Sequence, residues 1–92
     1  MTALTPSDVP RLPRGVRLRF DAVRQAEVLL APERAFDLDA NAAAVLRLVD
    51  GRRTVAEIAT ALAEEYAAAR AEIEADILPM LGELATKRVL ET

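Results

Sequence analysis

The side chains of this 92-residue chain that could do chemistry are its carboxylates, because histidine and cysteine are both absent. Without them the chain lacks the commonest general base, a thiol nucleophile, a thiolate metal site and any disulfide. The carboxylates cluster in Glu64-Glu65 and in Glu72-Glu74-Asp76. Their spacing is not that of a metal site, so we interpret both clusters as solvated acidic faces. The sequence therefore disfavours an enzyme and predicts no catalytic residue, cofactor or metal.

The turn Asp50-Gly51-Arg52-Arg53 is a second candidate, since two arginines follow a glycine there. Such a turn could contact a phosphate or an acidic peptide. None of the glycine-rich phosphate-binding patterns occurs in the chain, however. We therefore favour a plain connection between two helices.

Charge is distributed unevenly along the chain, although the net charge is only −3. Residues 1–24 hold five arginines and two aspartates, whereas residues 55–92 hold three basic and eight acidic side chains. Two interpretations stay open. The basic segment could contact an acidic partner, or it could lie over the acidic helices of its own domain.

Hydrophobic periodicity predicts three strands after an extended, proline-containing arm at residues 1–15. The first, Val16–Phe20, alternates apolar and cationic residues, and we expect its apolar side chains to point inward. Glu27–Ala31 is more continuously apolar and is predicted to be the central strand. Arg34–Leu38 alternates again. Short connections then imply an antiparallel meander, with Phe20 and Phe36 as the largest side chains of the core.

Three helices are predicted to follow the strands. Asp39 caps the first, Ala40–Val49, with Gly51 as the residue just past its end. Thr54 and Glu57 form a capping box for the second, which ends near Tyr66.

The third helix is predicted over about residues 70–87. Pro79 lies inside it, and we expect a kink or a break there, with Pro79 opening a second segment.

The predicted fold class is therefore α+β: a small winged-helix-like domain over residues 16–92, with a three-stranded antiparallel sheet followed by three helices. Residues 1–10 have no apolar signal-peptide core, and no apolar run has the length of a membrane span. We accordingly expect a cytoplasmic protein that does not contact a membrane.

A winged-helix DNA-binding regulator is the main alternative to a peptide-binding domain. A DNA reader needs basic side chains at the start of its recognition helix. Here the last helix begins with Glu72, Glu74 and Asp76, and has only Arg70 to oppose them. Phosphates would be repelled, so nucleic acid is disfavoured as a partner.

The third strand is the best candidate binding element, because an edge strand offers unpaired backbone groups to a guest strand. It contains neither the proline nor the lysine that commonly block such pairing. A stripe of mostly small residues on the last helix leaves room beside it, although alanine and glycine there could simply be helix filler. The predicted peptide-binding residues are Arg34, Ala35, Phe36, Asp37, Leu38, Ala71, Ala75, Leu78, Gly82 and Ala85.

The order and spacing of several short patterns resemble the PqqD family, pyrroloquinoline quinone (PQQ) biosynthesis protein D. The residues that carry the resemblance are Leu29-Leu30-Ala31-Pro32-Glu33, Leu38, Ala42-Ala43-Ala44-Val45-Leu46, Asp50-Gly51-x-Arg53-Thr54-Val55-x-Glu57-Ile58, Leu62, Tyr66, Asp76-Ile77-Leu78, Leu81 and Leu84. The chain departs from the family pattern at Asp39, where asparagine is common, and at Arg88, where glycine is frequent.

The resemblance implies a non-catalytic peptide chaperone, a recognition element for ribosomally made, modified peptides. It implies binding of the precursor peptide PqqA by strand addition, and presentation of that peptide to the radical SAM enzyme PqqE, which cross-links a Glu and a Tyr within it. Related recognition elements bind leader peptides between the third strand and the third helix. They also serve other peptide pathways, so another product stays an alternative. A homodimer is possible through the arm or the open strand edge.

Overall fold

The predicted α+β fold is confirmed by a computed structural model, which describes residues 3–92. A three-stranded sheet precedes three helices, in a winged-helix-like arrangement. In chain order the elements are β1 (Arg17–Asp21), β2 (Ala26–Ala31), β3 (Arg34–Asp37), α1 (Ala40–Leu46), α2 (Val55–Tyr66) and α3 (Arg70–Thr86).

The sheet is an antiparallel meander in the order β1-β2-β3, so the prediction of a central second strand is confirmed. Leu18, Leu29 and Phe36 lie opposite one another across the three strands. All three belong to or pack against the buried core, which lies between this sheet face and the helices. Alternation of side chains then directs the neighbouring positions to the outer face of the sheet.

Phe20 is not a core residue, and that expectation is wrong, since 56% of its surface is exposed. It pairs with Glu27 at the hairpin end of the sheet. The Glu27 carboxylate forms an ion pair with Arg47 just after α1. A charged pair therefore occupies the position where an apolar neighbour would have covered the ring. Phe36, by contrast, is half-buried against the core, as expected.

The first helix begins where the sequence predicts, because Oδ1 of Asp39 accepts a hydrogen bond from the Ala42 N–H at 2.7 Å. It ends earlier than predicted, at Leu46 rather than Val49. The chain continues in tighter turns, in which the Val49 N–H donates to the Leu46 carbonyl at 3.2 Å. Gly51 is therefore not the residue just past the helix end; it occupies a later turn with φ 76°.

Two sets of hydrogen bonds cap the start of α2. The predicted capping box between Thr54 and Glu57 is present. In addition, the carbonyls of Asp8 and Pro6 accept hydrogen bonds from the N–H groups of Val55 and Ala56, both at 2.9 Å. These donors have no partner within the helix itself, so the N-terminal segment supplies part of the cap of α2.

The third helix runs without interruption through Pro79, so the predicted second segment is wrong. Proline removes one backbone hydrogen bond from the helix. Buried Ile77, Leu81 and Leu84 lie on both sides of it and pack into the core. This burial holds the helix together across the missing bond.

The third helix ends in a tight reversal at Arg88, which has φ 65°. The Val89 N–H donates to the Leu84 carbonyl at 3.1 Å, and the Arg88 N–H donates to the Ala85 carbonyl at 3.0 Å. This pair of bonds is a Schellman cap, whose left-handed position normally holds glycine. The reversal buries Val89 and Leu90 in the core.

The N-terminal segment pairs with the C-terminal residues beside this cap. Arg11 and Glu91 exchange backbone hydrogen bonds of 2.8 and 2.9 Å, and their side chains form an ion pair at 2.9 Å. Within residues 3–92, no helix has the length and apolar character needed to cross a bilayer.

Candidate peptide-binding site

Among the described strands, β3 lies at the edge of the sheet and has β2 as its one partner. The Leu38 N–H donates to the Glu27 carbonyl at 3.2 Å, directed toward β2. Backbone groups of alternate residues in an antiparallel strand point to opposite sides. The N–H and C=O groups of Ala35 and Asp37 therefore point to the open side of β3. They are the backbone groups that a guest strand would use.

The side chains of β3 tie the strand to the end of α3. One guanidinium nitrogen of Arg34 donates to the Lys87 carbonyl at 3.0 Å. The Arg34 guanidinium and the Lys87 ammonium both lie over the ring of Phe36, 5.5 Å and 5.6 Å from its centre. This contact closes one end of the space between β3 and α3.

An open groove lies at the other end of β3, where the chain enters α1. Its volume is about 480 Å³. The groove is lined by Asp39, Asn41, Ala42, Ala44, Val45, Leu62, Tyr66, Ala68, Ile73, Asp76, Ile77 and Met80. The lining combines an apolar floor with two carboxylates, and it follows directly on the last residues of β3. A peptide paired with β3 could extend into it.

The predicted stripe of small residues on α3 does not line this groove. Leu78 and Gly82 line a different groove, of about 610 Å³, together with Ala3 and Leu4 of the N-terminal segment. Leu4 is itself buried and belongs to the core. Of the remaining stripe residues, Ala71 and Ala75 are exposed and Ala85 is half-buried.

Helical spacing explains why the predicted residues divide into two groups. Met80 and Lys87 are seven residues apart and share one face of α3, next to β3 and the start of α1. Leu78 and Gly82 are rotated by roughly half a turn from that face. The structure thus brings residues 34–38 together with the Met80 and Lys87 side of α3, and it brings the stripe together with the N-terminal segment.

Sequence reasoning did not select Asp76, Met80 or Lys87 as site residues. A signal was available, since Asp76, Met80 and Lys87 recur at four and seven residues beside the apolar core stripe. Choosing between two such faces requires knowing which one the sheet approaches. How the sheet packs against α3 depends on tertiary contacts, and the periodicity of the α3 sequence does not predict it.

The Asp50 carboxylate shapes the turn before α2. Oδ1 of Asp50 accepts hydrogen bonds from the backbone N–H groups of Arg53 and Arg52, both at 2.9 Å. These bonds lower the pKa of Asp50 below its ordinary value of 3.8, since they stabilise the ionised carboxylate. Asp50 is fully engaged in shaping this turn, as expected for a helix connection.

The acidic clusters do not converge on a common point. Glu74 forms an ion pair with Arg70 on the first turns of α3. Within residues 3–92, no three acidic side chains gather closely enough to hold a metal ion.

A family of proteins matches this chain over residues 27–90: coenzyme PQQ synthesis protein D, PqqD. The bifunctional coenzyme PQQ synthesis protein C/D of Methylorubrum extorquens (strain AM1) is 71% identical over 90 residues, which are 98% of this chain and 24% of that protein. The chain thus spans about a quarter of that relative. The PqqA binding protein of Rhodopseudomonas palustris (strain HaA2) is 52% identical over 88% of this chain and 79% of its own length.

Two solved structures are also similar. The solution structure of the PqqD part of Methylobacterium extorquens PqqCD, a stand-alone recognition element for ribosomally synthesised and modified peptides, has a TM-score of 0.88 and 70% identity, covering 99% of this chain and 97% of that one. TbiB1 in complex with the TbiA(β) leader peptide has a TM-score of 0.74 and 28% identity, covering 88% of this chain and 94% of that one.

Proposed function

The chain belongs to the PqqD family, and we propose that it is a non-catalytic chaperone that binds the precursor peptide PqqA and presents it to the radical SAM enzyme PqqE. Binding of PqqA is supported by the relative of Rhodopseudomonas palustris, which is named a PqqA binding protein. A leader peptide as the type of ligand is supported by the similarity to TbiB1, whose structure contains one.

The observation that carries this proposal is the unpaired edge of β3. The backbone groups of Ala35 and Asp37 point away from β2 and face no other strand of the described chain. A peptide that pairs with them gains main-chain hydrogen bonds that do not depend on its sequence. Addition antiparallel to residues 34–38 extends the meander by one strand.

Specificity then comes from side chains next to this edge. On the proposed path, the peptide continues from β3 into the groove that contains Asp39, Asp76 and Met80. Apolar peptide side chains would cover Met80 and its neighbours, and a cationic one would pair with the carboxylates. The alternative path for the peptide is the stripe formed by Ala71, Ala75, Leu78, Gly82 and Ala85, on the other side of α3.

Presentation to the enzyme follows from how strand addition holds a peptide. The paired residues are extended and ordered, while residues beyond the groove stay accessible for modification. The domain then does no chemistry itself; it raises the local concentration of the substrate at the enzyme.

An amide-shift titration of the labelled domain with PqqA tests the proposal. We expect the largest chemical-shift changes at β3 and along α3. The amide signals of residues that contact the guest strand should also broaden through exchange. Shifts scattered over β1 and the start of α2 would reject the site, and the absence of any shift would reject PqqA as the ligand.

A recognition role in another peptide pathway is the second candidate, and the similarity to TbiB1 favours it specifically. Titration with the TbiA(β) leader peptide beside PqqA separates the two. Tighter binding of PqqA supports a role in PQQ synthesis, whereas tighter binding of the other leader contradicts it.

A further inference from the structure

The outer face of the sheet, on the side away from the helices, carries cations that lack partners in the fold. No acidic residue lies between Asp8 and Asp21, but four arginines do. Arg11 pairs with Glu91. Among residues 3–92, the side chains of Arg14, Arg17 and Arg19 form no ion pair, whereas five other cations do, namely Arg24, Arg47, Arg53, Arg70 and Lys87.

Strand register places two of these arginines beside apolar side chains. Arg17 lies opposite Leu30, and Arg19 lies opposite Val28. These four residues alternate with the core-facing Leu18 and Leu29, so they share the outer face. Val28 is buried outside the main core cluster, and Leu30 is only half-buried. The outer face therefore has an apolar centre with a cationic border.

Two shallow grooves adjoin on this face, and both include Leu30. One, of about 510 Å³, is lined by Gly15, Val16, Arg17, Leu30 and Ala31. The other, of about 390 Å³, is lined by Arg19, Phe20, Asp21, Ala22, Val28 and Leu30. Val23, 94% exposed, lies at the tip of the β1–β2 hairpin, beyond the end of these grooves.

We propose that this outer face, defined by Arg17, Arg19, Val28 and Leu30, is a docking surface for an acidic protein surface. Guanidinium groups bind carboxylates through two parallel hydrogen bonds, and arginine is enriched where protein interfaces bind most strongly. Alternate residues of a strand are about 7 Å apart, so Arg17 and Arg19 fit a pair of carboxylates on the partner.

A protein fits this surface better than a nucleic acid does. Asp37 lies on the same face, at the position opposite Val28 on β3, and Asp21 lines one of the two grooves. Both carboxylates pair with Arg24, so the unpaired positive charge of the face is confined to Arg17 and Arg19. Two neighbouring charges suit a pair of carboxylates but not the continuous charge of a phosphate backbone, and the chain as a whole is acidic. The apolar centre at Leu30 adds contact area that a phosphate backbone would not use.

The docking surface and the peptide edge do not compete. The open edge of β3 is separated from β1 by the central strand, a distance of about 10 Å between the outer strands. A protein docked over β1 therefore leaves Ala35 and Asp37 available to a peptide. Identifying the partner as the peptide-modifying enzyme rests on the proposed function, and we use PqqE as the probe.

Charge reversal tests the surface. We expect Arg17→Glu and Arg19→Glu each to weaken binding of PqqE by about tenfold, with a stronger loss in the double variant. Binding of PqqA and the amide spectrum should stay unchanged. Arg52→Glu is the matched control, because Arg52 is an exposed arginine on the α1–α2 connection, and its side chain forms no ion pair among the described residues. If the glutamate variants disturb β1, Arg17→Gln and Arg19→Gln are used instead, because they remove the charge without reversing it.

Four other results would each contradict this inference, and they can be told apart. Unchanged PqqE affinity in the double variant rejects the surface and leaves the proposed function intact. No binding of PqqE by the unmodified domain rejects both the surface and the presentation step, while the PqqA titration still decides peptide capture. Duplex DNA binding that the reversals abolish would assign the face to nucleic acid. Self-association that they abolish, measured by sedimentation, would assign it to a second copy.

Discussion

The Arg34 guanidinium donates a hydrogen bond of 3.0 Å to the backbone carbonyl of Lys87, joining the edge strand β3 to the end of α3. The last carbonyls of a helix lack partners within it and carry partial negative charge. Arg34 satisfies one such group, and the Arg34 and Lys87 side chains both lie over the Phe36 ring. These contacts help to fix the relative position of the two elements proposed to hold the peptide.

Replacing Arg34 by methionine should destabilise the domain only modestly. The change removes an exposed hydrogen bond and one cation–π contact while keeping most of the stem, so we expect a loss of about 0.5–1 kcal/mol in the free energy of unfolding. Urea unfolding measures it, with Arg52→Met as the control. Equal stability of the two variants would show that the bond does not hold β3 to α3.

Arg88 should be replaceable by glycine with a gain in stability. Its φ of 65° lies in the left-handed region, which costs a side-chain-bearing residue about 1–2 kcal/mol. Glycine removes that cost but loses more conformational entropy on folding, so the expected net gain is about 0.5–1 kcal/mol. A raised thermal midpoint checks the prediction. A lowered one would mean that the Arg88 side chain contributes more than its backbone costs.

Ionisation of Asp50 should make the free energy of unfolding depend on pH in the acidic range. Its pKa is lowered in the folded state, so its contribution is present above the unfolded value of 3.8 and is lost as pH falls through the folded value. Asp50→Asn keeps an acceptor oxygen but does not titrate. The stability difference between wild type and variant should be largest at neutral pH and shrink as the pH falls below 3.8. Parallel unfolding curves across this range would contradict the assignment.

Local signals were sufficient to predict the elements of this fold. Asp39 and the Thr54–Glu57 pair each act through neighbours three residues away, so the sequence shows both caps directly. The same holds for the alternation in β3, which separates Phe36 from the outer positions.

Tertiary packing determines the features of the structure that local sequence patterns do not predict. The first helix ends early, at Leu46. Pro79 is accommodated because buried residues flank it on α3. Phe20 is exposed because Glu27 beside it pairs with Arg47, twenty residues away. The division of the candidate helix residues has the same origin, since only packing determines which face of α3 meets β3.

A pair of neighbouring substitutions should show which side of α3 the peptide follows. Asp76 lines the groove beyond β3, whereas Ala75 is exposed on the small-residue stripe. Asp76→Arg should weaken PqqA binding by about tenfold through bulk and charge, and Ala75→Arg should leave it nearly unchanged. Isothermal titration calorimetry measures both affinities. The opposite ranking would assign the peptide to the stripe of Leu78 and Gly82.

The central claim is that PqqA pairs with the open edge of β3, and Ala35→Pro tests it most directly. Proline removes the one N–H at position 35, which points away from β2, so the ladder to β2 keeps its bonds. Ala35→Val is the matched control, because it adds bulk and keeps the donor. We predict that Ala35→Pro stays folded, with an amide spectrum close to that of wild type, and loses PqqA affinity at least tenfold, while Ala35→Val binds normally. Wild-type PqqA affinity in a folded Ala35→Pro variant would contradict strand addition at β3.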